Sequence, residues 1–93
     1  MAIETKPWDA AELLKTPADI ATYLDADLED GTTEELLGAL NTIARSRGMT
    51  ALARDTGISR EALYRAFSDN GNPRLDTLLR VMKALGVRLA VAA

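Results

Sequence analysis

Apolar residues return at helical spacing along most of the chain. Ile20, Leu24 and Leu28 recur every four residues and form one stripe. Leu36, Leu37, Leu40, Ile43 and Ala44 form a second face. Leu75, Leu78, Leu79, Met82 and Leu85 follow the i, i+3, i+4, i+7 pattern of a helix with one buried side. Ahead of these, Trp8, Leu13 and Leu14 are anchors for a short helix or turn over residues 8–14. At the other end the period changes. Val87, Leu89 and Val91 alternate with Arg88 and Ala90, which predicts a short strand. Such a strand needs a partner, either Ile3 to Lys6 of the same chain or a neighbouring subunit.

Polar punctuation marks the ends of these segments. Thr16-Pro17-Ala18-Asp19 opens the first clear helix: Thr16 caps, Pro17 fits the first helical position and Asp19 faces the positive end of the dipole. Gly31 ends it. Thr32 and Glu35 have the spacing of a capping box and open a second helix, which Gly48 stops. Thr50 is the expected cap of a short third helix running to about Thr56. Gly57 turns the chain, and Ser59 caps a fourth helix to about Ser68. Asp69-Asn-Gly-Asn-Pro73 is a polar loop dense in turn residues, and Gly86 closes the fifth helix. The predicted fold class is all-α with five helices. It comprises a helical extension (residues 1–31), a central domain (32–86) and a C-terminal strand (87–93).

Composition narrows the chemistry. At 93 residues there is room for one domain, and the 47% hydrophobic content fits a folded core. There is no cysteine and no histidine, so thiolate or imidazole metal sites and histidine acid–base catalysis are excluded. No run approaches the ~20 apolar residues of a membrane span, and the first residues do not read as a signal peptide. A cytoplasmic location is expected. The net charge of −3 conceals a polarity. Residues 1–35 hold two lysines against ten carboxylates, a net −8, while residues 36–93 hold nine Lys/Arg against four carboxylates, a net +5. Two faces with different partners, or merely uneven surface charge, would produce this split.

The most informative stretch is Met49 to Ser68, two short helical segments around a glycine turn. Ala53 is small where the helices would cross. Gly57 supplies a turn conformation that a side chain would penalise. Leu52, Ile58, Leu63 and Ala66 then fall inside, which leaves Ser59, Arg60, Glu61, Tyr64 and Arg65 on the outer face of the second segment. In a helix-turn-helix the start of that second helix enters the major groove, where arginine can donate twice to guanine. Tyr64 can reach a thymine methyl or a phosphate. The helix start at Thr50 would aim free N–H groups at a phosphate. Asn70, Asn72 and Arg74 follow in the loop, placed to hold the backbone further along. Each residue also has a plainer role. Glu61 and Arg65 are spaced to pair with each other, Arg60 is an ordinary surface residue, and Tyr64 is partly core.

The segment from about Thr33 to Gly86 resembles the helix-turn-helix domain of phage Cro and lambda-type repressors, the XRE-like group. Asn72-Pro-Arg-Leu-Asp-Thr-Leu-Leu-Arg-Val-Met-Lys-Ala-Leu-Gly-Val87 is similar to its last helix. Almost the whole chain resembles the small probable addiction module antidote proteins. The matching pieces are Thr16-Pro-Ala-Asp-Ile-Ala-Thr-Tyr-Leu24, Gly57-Ile-Ser-Arg-Glu-Ala-Leu-Tyr64 and Gly71-Asn-Pro73. The resemblance implies a lambda-repressor-like fold. It also implies an antitoxin that neutralises a toxin of the RelE/ParE type, binds double-stranded operator DNA and represses its own operon. It passes the reading role to Ser59, Arg60, Tyr64 and Arg65. One short reading helix makes little sequence-specific contact, so a homodimer on a palindromic operator is expected, joined through the C-terminal strand or the fifth helix.

Rival functions fare less well. An enzyme lacks histidine, cysteine, a phosphate-binding glycine loop and a nucleophile elbow, so neither catalysis nor a cofactor is expected. The acidic run Asp25 to Gly31 fails as a calcium loop: position six is Asp30 where glycine is needed, and position twelve is Leu36 where glutamate is needed. A stand-alone phage-type repressor, or a protein–protein adaptor on the same fold, remain the alternatives.

Overall fold

The computed structural model describes residues 14–68 and 70–93. The turn expected over residues 8–14 and the Ile3–Lys6 strand partner lie outside them, apart from Leu14, which is buried. Among the described residues the chain is all-helical: α1 (Pro17–Asp30), α2 (Thr33–Arg47), α3 (Met49–Thr56), α4 (Arg60–Ala66) and α5 (Leu75–Ala84).

Helices α1 and α2 begin where the sequence places their caps. Asp19 N–H donates to Thr16 Oγ1 at 3.1 Å, and Thr16 N–H donates back to the Asp19 carboxylate at 3.2 Å. Thr32 and Glu35 repeat the arrangement, at 3.1 Å in both directions. Each box satisfies backbone donors that the first turn leaves without partners. Downstream, α1 sends Ile20 and Leu24 into the core, and α2 sends Leu37, Ala39, Leu40, Ile43 and Ala44. Helix α1 packs on α2, α2 on α3, and α3 on both α4 and α5. The shared core holds Leu52 and Leu63 at 0% exposure, with Phe67, Val81, Met82 and Leu85 around them.

Four details depart from the sequence pattern. Helix α3 starts at Met49, two residues before a helix capped by Thr50 would. Gly48 closes α2 and caps α3 at once, so the chain reverses within one residue and Leu52 N–H already bonds Gly48 C=O at 3.0 Å. Thr50 therefore lies in the first turn and caps nothing. Leu28, the last member of the α1 stripe, is 49% exposed, because the core contact ends at Leu24. On α5 the buried edge runs through Leu78, Val81, Met82 and Leu85, leaving Leu75 and Leu79 on the surface. Finally, residues 87–93 form no strand: no ladder partner is present among the described residues, and Val91 is fully exposed. What Val87 does instead is finish α5. Its N–H donates to Met82 C=O and that of Gly86 to Lys83 C=O, both at 3.0 Å, the paired bonds of a Schellman cap.

Candidate nucleic-acid interface

The centre of the candidate site is the turn between α3 and α4. Thr56 ends α3 with a buried side chain. Its hydroxyl donates to Leu52 C=O at 2.7 Å and accepts from Ile58 N–H at 3.2 Å, so one small group ties the last turn of α3 to the residue that leads into α4. Gly57 sits at φ 73°, in the left-handed region, with its N–H on Ala53 C=O at 2.9 Å. The Thr56 carbonyl points out of the helix end and accepts from the Arg80 guanidinium of α5. Arg80 is steered by Asp76, one turn back, at 3.7 Å. Three helices are thereby fastened at one corner.

Helix α4 is short and anchored by Leu63, with Ala62 and Ala66 half-buried beside it. Ser59 is its cap: Ala62 N–H donates to Ser59 Oγ at 3.1 Å. That bond occupies one acceptor direction of the hydroxyl and leaves its proton free. Ser59, Arg60, Glu61, Tyr64 and Arg65 all lie on the exposed side. Tyr64 is 46% exposed, which removes it from the core. The Arg60 guanidinium carbon stands 6.0 Å from the Tyr64 ring centroid, at the edge of cation–π range. Glu61 and Arg65 form no ion pair, and the only ion pairs among the described residues are Arg54–Asp55 and Arg80–Asp76. The face of α4 therefore presents two arginines in no ion pair with another described residue.

The following loop folds back on α4. A Cβ at Gly71 would stand 2.2 Å from the Ala66 carbonyl oxygen, so only glycine allows that approach. Ser68 helps shape the turn, its hydroxyl on Arg65 C=O at 2.8 Å and its own carbonyl accepting from Gly71 N–H at 2.8 Å. Asn70 and Asn72 flank this contact and are exposed, and Arg74 is exposed at the start of α5. The structure thus sets the loop residues against the C-terminal end of α4, while Ser59 and Arg60 mark its N-terminal end. Thr50 is exposed in the first turn of α3.

Sequence reasoning missed Thr56 and Arg80. Thr56 had a signal, a hydroxyl residue directly before the turn glycine. Arg80 had none, since its partner lies 24 residues away. Arg45 and Arg47 were also passed over. They are exposed in the last turn of α2, immediately before Gly48 and α3.

A family model described as "Probable addiction module antidote protein" matches residues 4–93. A Haemophilus influenzae relative, described only as an uncharacterized protein, is 45% identical over 91 residues, covering 98% of this chain and 94% of its own length. No solved structure gives a significant match.

Proposed function

The chain belongs to the probable addiction module antidote family, and from that membership we propose a non-enzymatic, cytoplasmic antitoxin that binds operator DNA, neutralises a RelE/ParE-like toxin and represses its own operon. On this reading α3 and α4 are a helix-turn-helix of the Cro and lambda-repressor (XRE-like) type. Helix α4 enters the major groove with Arg60 and Arg65 toward guanine edges and Ser59 and Tyr64 beside them. Thr50, Asn70, Asn72 and Arg74 hold phosphates on either side. Two copies joined through the exposed Leu75 and Leu79 of α5 would read half-sites about 34 Å apart.

The observation that carries the DNA-binding half is the outer face of α4. Both arginines are exposed and in no ion pair among the described residues, on a helix whose start is fixed by its cap and by the Thr56–Gly57 turn. A merely solvated face would be expected to use Glu61 to hold Arg65.

The test is retardation of DNA from upstream of the gene, titrated with salt. Log affinity should fall linearly with log salt, by about 0.9 for each phosphate contact. An adaptor would give no shift. In parallel, the adjacent reading frame is expressed with and without this chain: arrested growth that this chain rescues supports the antidote role, and absence of any toxic neighbour leaves a stand-alone repressor.

A further inference from the structure

The acidic end of α1 is arranged against the stability of its own helix. Asp25, Asp27, Glu29, Asp30, Glu34 and Glu35 fall within eleven residues, and no Lys or Arg occurs between Lys15 and Arg45. Among the described residues none of the six is in an ion pair; Glu34 and Glu35 lie in the first turn of α2, where the dipole favours them, and Glu35 also closes a capping box, which leaves the four carboxylates of α1 without such support. Asp25 and Glu29 are spaced i, i+4, a like-charge pair on one helix face. Glu29 and Asp30 occupy the last turn of α1, at the negative end of the helix dipole, and that turn has no basic residue. A local rule broken without internal compensation marks a surface whose compensation comes from outside.

An apolar groove lies beside these charges. It runs between α1 and the segment after α5, holds about 300 Å³, and is lined by Leu24, Leu28, Met82, Val87 and Leu89, with Asp25 and Arg88 as its charged members. Leu28 is 49% and Leu89 41% exposed, although each is a large apolar side chain at the edge of the core. Arg80 and Gly57, which set the α4 face, belong to a different corner of the molecule and do not line this groove.

We propose that this groove and its acidic rim are the docking surface for the toxin, a cationic protein that sets an apolar side chain between Leu28 and Leu89 and surrounds it with Lys or Arg opposite Asp25, Glu29 and Asp30. The assignment rests on the antidote reading above. The partner's charge follows from complementarity: only cations relieve both the like-charge repulsion and the helix-end penalty. The surface is separate from the α4 face, so one chain could hold toxin and operator together.

The probe is the purified protein encoded by the adjacent reading frame, added to the full-length chain. Three variants are compared: D25N/E29Q/D30N, L28S and R60A/R65A. The first should raise the melting temperature of the free chain by about 2–6 °C, since it removes unfavourable charge. Yet it should weaken partner binding tenfold or more at low salt, by an amount that shrinks as salt rises, with ~10 Å screening at 0.1 M. L28S should weaken binding similarly at all salt concentrations, and R60A/R65A should leave it unchanged. Wild-type binding that the first two variants do not alter overturns the surface and leaves the antidote reading standing. No wild-type binding overturns both. A free chain that sediments as a dimer and becomes a monomer on L28S assigns the groove to a second copy and also overturns the proposal.

Discussion

The guanidinium of Arg80 donates to the backbone carbonyl of Thr56, joining the middle of α5 to the end of α3 across 24 residues of sequence. It answers a carbonyl at the negative end of a helix with a positive donor, and it does so one residue from the turn that aims α4. Replacing Arg80 by Met keeps the aliphatic stem and removes the donor. The side chain is about half exposed, so the stability loss should be modest, about 0.5–1 kcal/mol. Operator affinity should fall by more than stability alone explains, because α4 loses its brace. Chemical denaturation and a DNA titration of the same preparation separate the two, and equal operator affinity would leave Arg80 a purely structural contact.

Thr56 tests the same corner from inside. Valine matches threonine in shape but neither donates to Leu52 C=O nor accepts from Ile58 N–H. The Ile58 N–H is part-buried and would be left without its partner, at about 1–3 kcal/mol. T56V should therefore destabilise more than R80M. The double variant should cost less than the sum of the two, since both act on one turn. Strict additivity in urea unfolding would show that the two contacts are independent.

Gly57 and Gly71 are irreplaceable for different reasons, and substitution by alanine exposes the difference. At Gly57 the obstacle is the backbone: φ is 73°, and the nearest atom to an added Cβ is the movable Arg80 guanidinium at 3.2 Å. G57A should cost about 1–2 kcal/mol. At Gly71 the obstacle is space, with main-chain atoms of Arg65 and Ala66 within 2.9 Å of the added carbon. G71A should cost about 1–3 kcal/mol and displace the loop that carries Asn70 and Asn72. Thermal melts rank the stabilities, and amide exchange at Asn70 and Asn72 reports the displacement. An unperturbed loop in G71A would contradict the close approach.

How far the sequence carried the structure follows from where each determinant lies. Caps are local, so Thr16 and the Thr32–Glu35 box announced α1 and α2 correctly, while the reciprocal Asp19 bond to Thr16 is added by the structure. Glycines at helix ends are local too, and Gly31, Gly48, Gly57 and Gly86 all punctuate as expected. Thr50 misled because a threonine before an apolar run looks like a cap. The reversal at Gly48, with Met49 drawn into the core, had already supplied one. Periodicity gave the existence of α5 but not its rotation, since which edge faces α3 is settled by packing. Alternation at Val87, Leu89 and Val91 was read as a strand, but alternation supplies no partner. In the candidate site the exposed face of α4 was legible from spacing alone. That Glu61 does not engage Arg65, and that Arg80 braces Thr56, are settled by packing and not by spacing.

The two arginines of α4 give the sharpest test of the reading face. Both are exposed and neither is in an ion pair with another described residue, so R60A/R65A should melt within about 0.5 kcal/mol of the wild type. If each donates to a guanine, each should remove about 1–3 kcal/mol of discrimination between operator and unrelated DNA. Competition titrations against scrambled duplex measure this directly. Unchanged discrimination in a folded double variant would move the reading role away from α4.

Leu75 and Leu79 lie on α5 at 65% and 44% exposure, although periodicity placed them on the buried side. Two leucines one turn apart on a helix surface offer a small apolar patch that a second copy could cover. In the proposed dimer they meet their equivalents across a two-fold axis. L75S/L79S should then cost the monomer about 1–2 kcal/mol, mostly at the half-buried Leu79, which leaves the fold intact. It should convert a dimer to a monomer in sedimentation, and reduce operator binding to that of a single half-site. The control is L28S, which should leave the dimer intact. A double variant that still sediments as a dimer would place the two-fold contact elsewhere.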